Sequence, residues 1–288
     1  MRSKLFVPAS RPELYAKALG SEADAISFDL EDAVEDSRKE SARKTLASWL
    51  RSPPPRQDGK VIIVRCNAIE TPYFRDDILA VAWPGLHQIN LPKVETADAV
   101  LATAEILREL ERERGIQSPI GILVNIESPR GLRFAAEIAC AHPRVTGLQV
   151  GFGDLLKPLG IKPSHPAASQ YVRVQIRLAA GEAGIDAYDG AYVDIANPDG
   201  YIADAEAAHA LGFAGKSCIH PSQVPLANKV FLPSEEEVAH ALRVVEAAQR
   251  HLSEGTGAFV VDGSLVDGPF ITSAQRLIDR ARQAGLIP

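Results

Sequence analysis

The chain has 288 residues, 46% hydrophobic and 24% charged, with a formal net charge of −6. That length suits one large barrel better than two ordinary domains, and the acidic balance argues against a nucleic-acid or membrane-surface partner. No run approaches the roughly 18 apolar residues of a membrane span, and Cys66, Cys140 and Cys218 show neither zinc spacing nor a disulfide framework.

Eight short apolar runs punctuate the chain: Leu5–Val7, Ala25–Phe28, Val61–Val64, Gln88–Leu91, Ile120–Ile126, Gly147–Val150, Ala191–Val193 and Gly215–Ile219. Helical patterns lie between them. Ser37 with Glu40 has the form of a capping box, and Thr71-Pro72 and Ser128-Pro129 each pair a cap with a proline at the first helical position. Ala97–Arg114 and Ala203–Leu211 read as helices, and Ser52–Gly59, with three consecutive prolines, reads as a surface loop. Eight strand–helix units predict an α/β fold, a (β/α)8 TIM barrel over residues 1–222. The runner-up, an open doubly wound sheet, lacks a Gly-x-Gly-x-x-Gly after the first strand. Residues 223–288 predict a helix–hairpin–helix extension. Ser234 to Glu237 opens its first helix, with Val238, Leu242, Val245, Ala248 and Leu252 on one face. Asp262-Gly263 makes the hairpin turn, and a last helix runs from about Ile271 to Ala284. Met1–Lys4 enters the first strand directly, without a secretory pattern, so a cytoplasmic location is expected.

Almost every strand ends in a charged or polar residue, which at the exit of a buried strand is too costly to be there for packing alone. Glu127 ends the fifth strand and Asp154 follows the sixth, so adjacent strand ends bring two carboxylates together. Two oxygen donors leave most positions of an octahedral ion open, which fits Mg2+, with Mn2+ as a substitute. The competing reading of Asp154 is a helix cap. Arg65 ends the third strand, where it can hold a carboxylate or enolate oxygen or pair with Asp29, Glu31 or Asp32. Arg38 and Lys39 sit in a first helical turn that the macrodipole prefers acidic. With Arg43 and Lys17 they are either a phosphate cradle or solvated surface charge. His220 ends the eighth strand without a catalytic triad around it.

In order along the chain stand Leu5-Phe6-Val7-Pro8, Asp29-Leu30-Glu31-Asp32-Ala33-Val34, Val64-Arg65-Cys66-Asn67 and Leu91-Pro92-Lys93. Ile126-Glu127-Ser128, Gly151-Phe152-Gly153-Asp154-Leu155, Gly215 to Pro221 and Gly263 to Asp267 follow. Together these resemble the citrate lyase β-subunit-like and malyl-CoA lyase family of Mg2+-dependent barrels acting on 2-oxo acids, from Arg2 to about Arg282. The resemblance implies Mg2+ on Glu127 and Asp154, and 2-oxo acid binding by Arg65. It also implies substrate contacts at Glu127, Gly151, Gly153 and His220, and coenzyme A, as part of the substrate, along Lys17, Arg38, Lys39 and Arg43. Asp267 would be the acid–base residue, delivered by the C-terminal segment packing on a neighbouring subunit of a homotrimer or dimer of trimers. Ala9-Ser10, Cys66 and Phe152-Gly153 depart from the commoner forms of the family and leave the acyl group open.

The expected activity is Mg2+-dependent carbon–carbon cleavage of a 3-hydroxy-3-carboxy acyl-CoA, such as citramalyl-, malyl- or citryl-CoA, to acetyl-CoA and a 2-oxo acid. One alternative is a metal aldolase that enolises pyruvate without coenzyme A. The other is a subunit of a citrate lyase complex working on an acyl-carrier protein.

Overall fold

A computed structural model of the chain describes residues 1–51, 59–253 and 257–287. Most of the proline-rich loop expected over Ser52–Gly59 lies outside them. The chain divides into two compact units, Met1–Phe231 and Leu232–Pro288. The helix Gln223–Val230 therefore completes the first unit, beyond the expected boundary at residue 222.

The first unit is a closed parallel barrel of β1 (Ser3–Pro8), β2 (Ala25–Asp29), β3 (Val61–Arg65), β4 (Gln88–Leu91), β5 (Gly121–Ile126), β6 (Val145–Val150), β7 (Asp186–Asp189) and β8 (Gly215–Cys218). β1 pairs with both β2 and β8, which closes the ring. Alternate residues of each strand face the helices and form the main core, among them Leu5, Val7, Ile26, Phe28, Ile62, Val64, Ile122 and Val124. The other face points inward. Ala25, Ile63, Leu123 and Tyr188 make an apolar floor. Paired in register with Ala25 and Leu123 of that floor are the polar Lys4 and Asn90: Lys4 donates to Asn90 at 2.9 Å, and Asn90 donates to Asn125 at 2.7 Å. Lys4 is 3% exposed; burial, then the charge of Arg65, pulls its ammonium well below the usual lysine range.

One strand lies elsewhere than expected. The seventh is Asp186–Asp189, not Ala191–Val193, which belongs to the loop after it. Two acids in four residues mask a strand. Asp189 is tolerated because it is buried among cations: Arg173 donates to it at 2.9 Å through two nitrogens, and Lys216 at 2.5 Å. Arg173 and Lys216 also share Asp204, each at 2.6 Å. Asp189→Ala would leave two buried cations with Asp204 as their one shared acid. It is expected to cost about 3–5 kcal/mol in urea unfolding, the usual cost of breaking a buried pair; a loss under 1 kcal/mol would show the network to be dispensable.

Helix starts follow local chemistry. The Ser128 hydroxyl accepts from the Gly131 N–H at 3.0 Å with Pro129 at the first position, as expected. Ser37 caps nothing: the helix Asp36–Arg51 starts one residue earlier, with an acid in its first turn, and Glu40 pairs with Lys44. Thr71 turns back onto the Ala68 carbonyl, and the next helix runs Phe74–Val81.

The second unit contains the helix Glu235–Ser253, β9 (Phe259–Val261), β10 (Ser264–Val266) and the helix Gly268–Gln283. Ser234 and Glu237 form the expected capping box, and Asp262 and Gly263, with φ of 50° and 80°, make the expected primed turn. The last helix begins three residues before Ile271. The buried face of Glu235–Ser253 carries Val238, Ala241, Val244, Ala247 and Ala248, whereas Leu242 is exposed. Of the expected face, Val238 and Ala248 are buried and Val245 packs against the same cluster, while the side chain of Leu252 lies outside the described residues.

Candidate active site

The carboxyl ends of the strands gather the charges. In the β2–β3 register Asp29 lies beside Arg65. Asp29 takes hydrogen bonds from Arg65 Nε at 2.8 Å and Nη2 at 2.6 Å, and from the main-chain N–H groups of Glu31 and Ala33. Arg65 Nη1 lies 3.1 Å from Glu31 Oε2, and the guanidinium stands 4.9 Å from the centre of the Phe6 ring. Burial opposes the charge on Arg65, but Asp29, Glu31 and Asp32 outweigh it and raise its pKa. Of the two readings of Arg65, the structure shows the pairing: Asp29 and Glu31 fix the plane of the guanidinium.

Glu127 follows β5 directly and is 4% exposed. Its Oε1 accepts the main-chain N–H of Lys93 at 2.7 Å. Its other oxygen packs against Gly151, where a Cβ would collide with the Glu127 side chain. Burial, then the charges of Glu31 and Asp154, pushes the Glu127 carboxyl up to about 7. The pairing of Ile126 with Val150 brings the chain after β6 beside Glu127. Asp154 is exposed in the first turn of the short helix Phe152–Leu156, whose N-cap position is Gly151, so Asp154 is not the cap.

Among the described residues no cluster of three or more His, Cys, Asp or Glu side chains could hold a metal. Glu127 and Asp154 supply two carboxylates. A buried carboxylate destabilised by its surroundings is what a divalent cation would relieve, and two donors with open positions suit Mg2+. The residues therefore fit the ion. Gly151→Ala is expected to displace Glu127 and weaken Mn2+ binding about 10-fold or more while the barrel stays folded; unchanged affinity would mean that Glu127 is not a ligand.

Two residues outside the expected set complete the cluster. Lys93, the exit residue of β4, adopts a left-handed backbone with φ of 51°, and its Nζ donates to Glu31 Oε1 at 2.7 Å. Burial works against the ammonium, but the hydrogen bond and charge of Glu31, with Asp32 and Asp154, raise its pKa. Lys216, by contrast, is buried in ion pairs behind the sheet. Glu31 stands in the Asp-Leu-Glu-Asp run, yet its role between Arg65 and Lys93 needs the register to be seen.

The remaining residues divide. His220 is exposed after β8 and shares a 2.8 Å hydrogen bond with Ser222. Gly153 is exposed, with no atom within 4 Å of where a Cβ would stand, so nothing there demands glycine for packing. Lys17 is exposed, and Arg38, also exposed, donates to the Ser10 carbonyl of the loop after β1 at 3.1 Å. Lys39 and Arg43 do not join them in a cradle. Lys39 is buried and donates to the carbonyls of Leu30 and Glu31. Arg43 is buried on Asp77 at 2.7 Å. Both hold the second and third strand exits together. Asp267 lies in the second unit, at the N-cap position of the helix Gly268–Gln283, and its Oδ1 is buried without a hydrogen-bond partner.

Residues 2–221 match the HpcH/HpaI aldolase/citrate lyase family model. The citrate lyase subunit beta of Escherichia coli is 37% identical over 99% of this chain and 94% of its own. The L-malyl-CoA/beta-methylmalyl-CoA lyase of Cereibacter sphaeroides is 34% identical over 99% and 95%. The crystal structure of CitE from Mycobacterium tuberculosis in complex with magnesium, acetoacetate and coenzyme A superposes with a TM-score of 0.76 at 35% identity, covering 98% of this chain and all of that one. A full-length match of this depth, over a closed barrel whose strand exits carry the two carboxylates and the clamped arginine, places the chain in the HpcH/HpaI aldolase/citrate lyase family.

Proposed function

We propose that the protein is a Mg2+-dependent carbon–carbon lyase that cleaves a 3-hydroxy-3-carboxy acyl-CoA to acetyl-CoA and a 2-oxo acid. The observation that carries this reading is the juxtaposition of Glu127 and Asp154 with Arg65 at one end of the barrel. The similarity to a malyl-CoA lyase and to a protein crystallised with magnesium and coenzyme A supports it.

When bound by Glu127 and Asp154, Mg2+ would supply Lewis-acid polarisation of substrate oxygens. Arg65, its plane set by Asp29 and Glu31, holds the carboxylate that becomes part of the 2-oxo acid. A base takes the proton of the hydroxyl group, and the carbon that bore that group becomes the carbonyl of the 2-oxo acid. The adjoining carbon–carbon bond breaks, and its electron pair passes to the thioester as an enolate. Asp267 then donates a proton to the enolate carbon; in the reverse direction it removes that proton. Lys17 and Arg38 are the exposed cations of the expected four and are assigned to the coenzyme side.

Asp267 acts on a neighbouring subunit of a homotrimer or dimer of trimers. Val260, Leu265 and Phe270, around it in sequence, are 66%, 65% and 59% exposed. Large apolar side chains on one hairpin and at the start of the following helix suit an interface. Among the described residues no helix is long and apolar enough to cross a membrane, and the working location proposed is the cytoplasm.

Mass spectrometry of products from a panel of citramalyl-, malyl- and citryl-CoA with Mg2+ tests the reading. Acetyl-CoA and a matching 2-oxo acid from at least one thioester are expected. Turnover of free 2-oxo acids alone, or of acyl-carrier-protein thioesters alone, would overturn it in favour of an aldolase or of a citrate lyase complex subunit.

A further inference from the structure

Lys93 reaches both halves of the site by two different groups. Its main-chain N–H fixes Glu127 Oε1 at 2.7 Å. Its ammonium fixes Glu31 Oε1 at 2.7 Å, and the other oxygen of Glu31 faces Arg65 Nη1 at 3.1 Å. Glu31 Oε2 is buried and makes no well-formed hydrogen bond, so the Lys93 bond is what locates that carboxylate against Arg65. The φ of 51° is uncommon for a residue other than glycine, asparagine or aspartate, and such strain persists where the surroundings hold it.

We propose that Lys93 is a positioning residue: its left-handed backbone orients Glu127, and its ammonium, through Glu31, orients Arg65. This rests on the metal-and-oxo-acid reading of the same site. The two roles are separable. Glycine at position 93 keeps the left-handed conformation and the N–H but removes the ammonium. Valine removes the ammonium and resists the conformation as well. Removing a cation whose charge is felt by Asp154 also favours a bound cation, so the glycine variant loses nothing on the metal side through charge.

Mn2+ binding to the chelator-stripped, full-length protein is followed by electron paramagnetic resonance, and pyruvate binding to the Mn2+-loaded protein by calorimetry. Lys93→Gly is expected to hold Mn2+ within about threefold of the unaltered protein, or more tightly, while binding pyruvate about tenfold more weakly. Lys93→Val is expected to lose about tenfold on both, and Lys93→Arg to recover pyruvate binding. Thermal melting checks that each variant folds, with Lys93→Ala replacing valine if it does not. Equal loss of Mn2+ in the glycine and valine variants, or unchanged pyruvate binding in the glycine variant, would overturn the proposal. An unaltered protein that binds no Mn2+ would overturn the metal site and this inference together. Mn2+ and pyruvate binding without cleavage of any thioester would overturn the lyase reading alone.

Discussion

Asp154→Ala is expected to abolish turnover, by on the order of 10³-fold or more, about 4 kcal/mol of transition-state stabilisation, while the barrel stays folded. The reason is its exposure. Asp154 is on the surface of a short helix and belongs to none of the three hydrophobic clusters, so its removal opens no cavity. What it leaves behind is one carboxylate where the ion needs two. Chelator-treated wild-type protein should fall equally far and recover with Mg2+ or Mn2+; the variant should not recover. Mn2+ titration gives the same answer without turnover, because the variant should show little bound ion at concentrations that saturate the wild type. A variant with normal Mn2+ affinity would remove Asp154 from the metal site.

Asp267→Asn is expected to cost about 10²–10⁴-fold in turnover with substrate binding retained, the usual range for a general acid or base. Asparagine keeps the shape and its place before the helix Gly268–Gln283, so a loss reflects proton transfer and not folding. The assignment to a neighbouring subunit has its own test. Mixing inactive Asp267→Asn chains with inactive Glu127→Ala chains and reassembling them should restore part of the activity. Some interfaces then pair an intact aspartate with an intact carboxylate pair. No recovery in demonstrably mixed oligomers would mean that Asp267 serves its own chain or is not catalytic.

Much of the barrel was legible because strand and helix patterns alternate, and a charged or polar residue at almost every predicted strand exit marks the catalytic end. Seven of the eight strands lie where apolar runs predicted them; the seventh did not, because Asp186-Ala187-Tyr188-Asp189 is held by Arg173 and Lys216 from elsewhere in the chain. Such ion pairing is tertiary and leaves no local trace. The same blindness affected the cation cluster. Spacing placed Lys39 and Arg43 beside Arg38, but only the fold shows that they point into carbonyls and Asp77 while Arg38 stays exposed. Glu127, Asp154 and Arg65 were legible because each stands at a strand exit. Lys93 and Glu31 were visible as residues, not as a linkage: nothing in a lysine announces a positive φ, and the Glu31 contact spans 62 positions.

In the proposed function the two carboxylates at the barrel mouth support metal-dependent breakage of a carbon–carbon bond through an enolate. Incubation with the thioester identified from the panel, in D2O with Mg2+, followed by mass spectrometry of the coenzyme A products, tests it most directly. The expected result is acetyl-CoA carrying one deuterium in its methyl group, together with the 2-oxo acid, and neither product after chelation. Free coenzyme A with the intact hydroxy acid, or acetyl-CoA formed equally well in the presence of chelator, would contradict it.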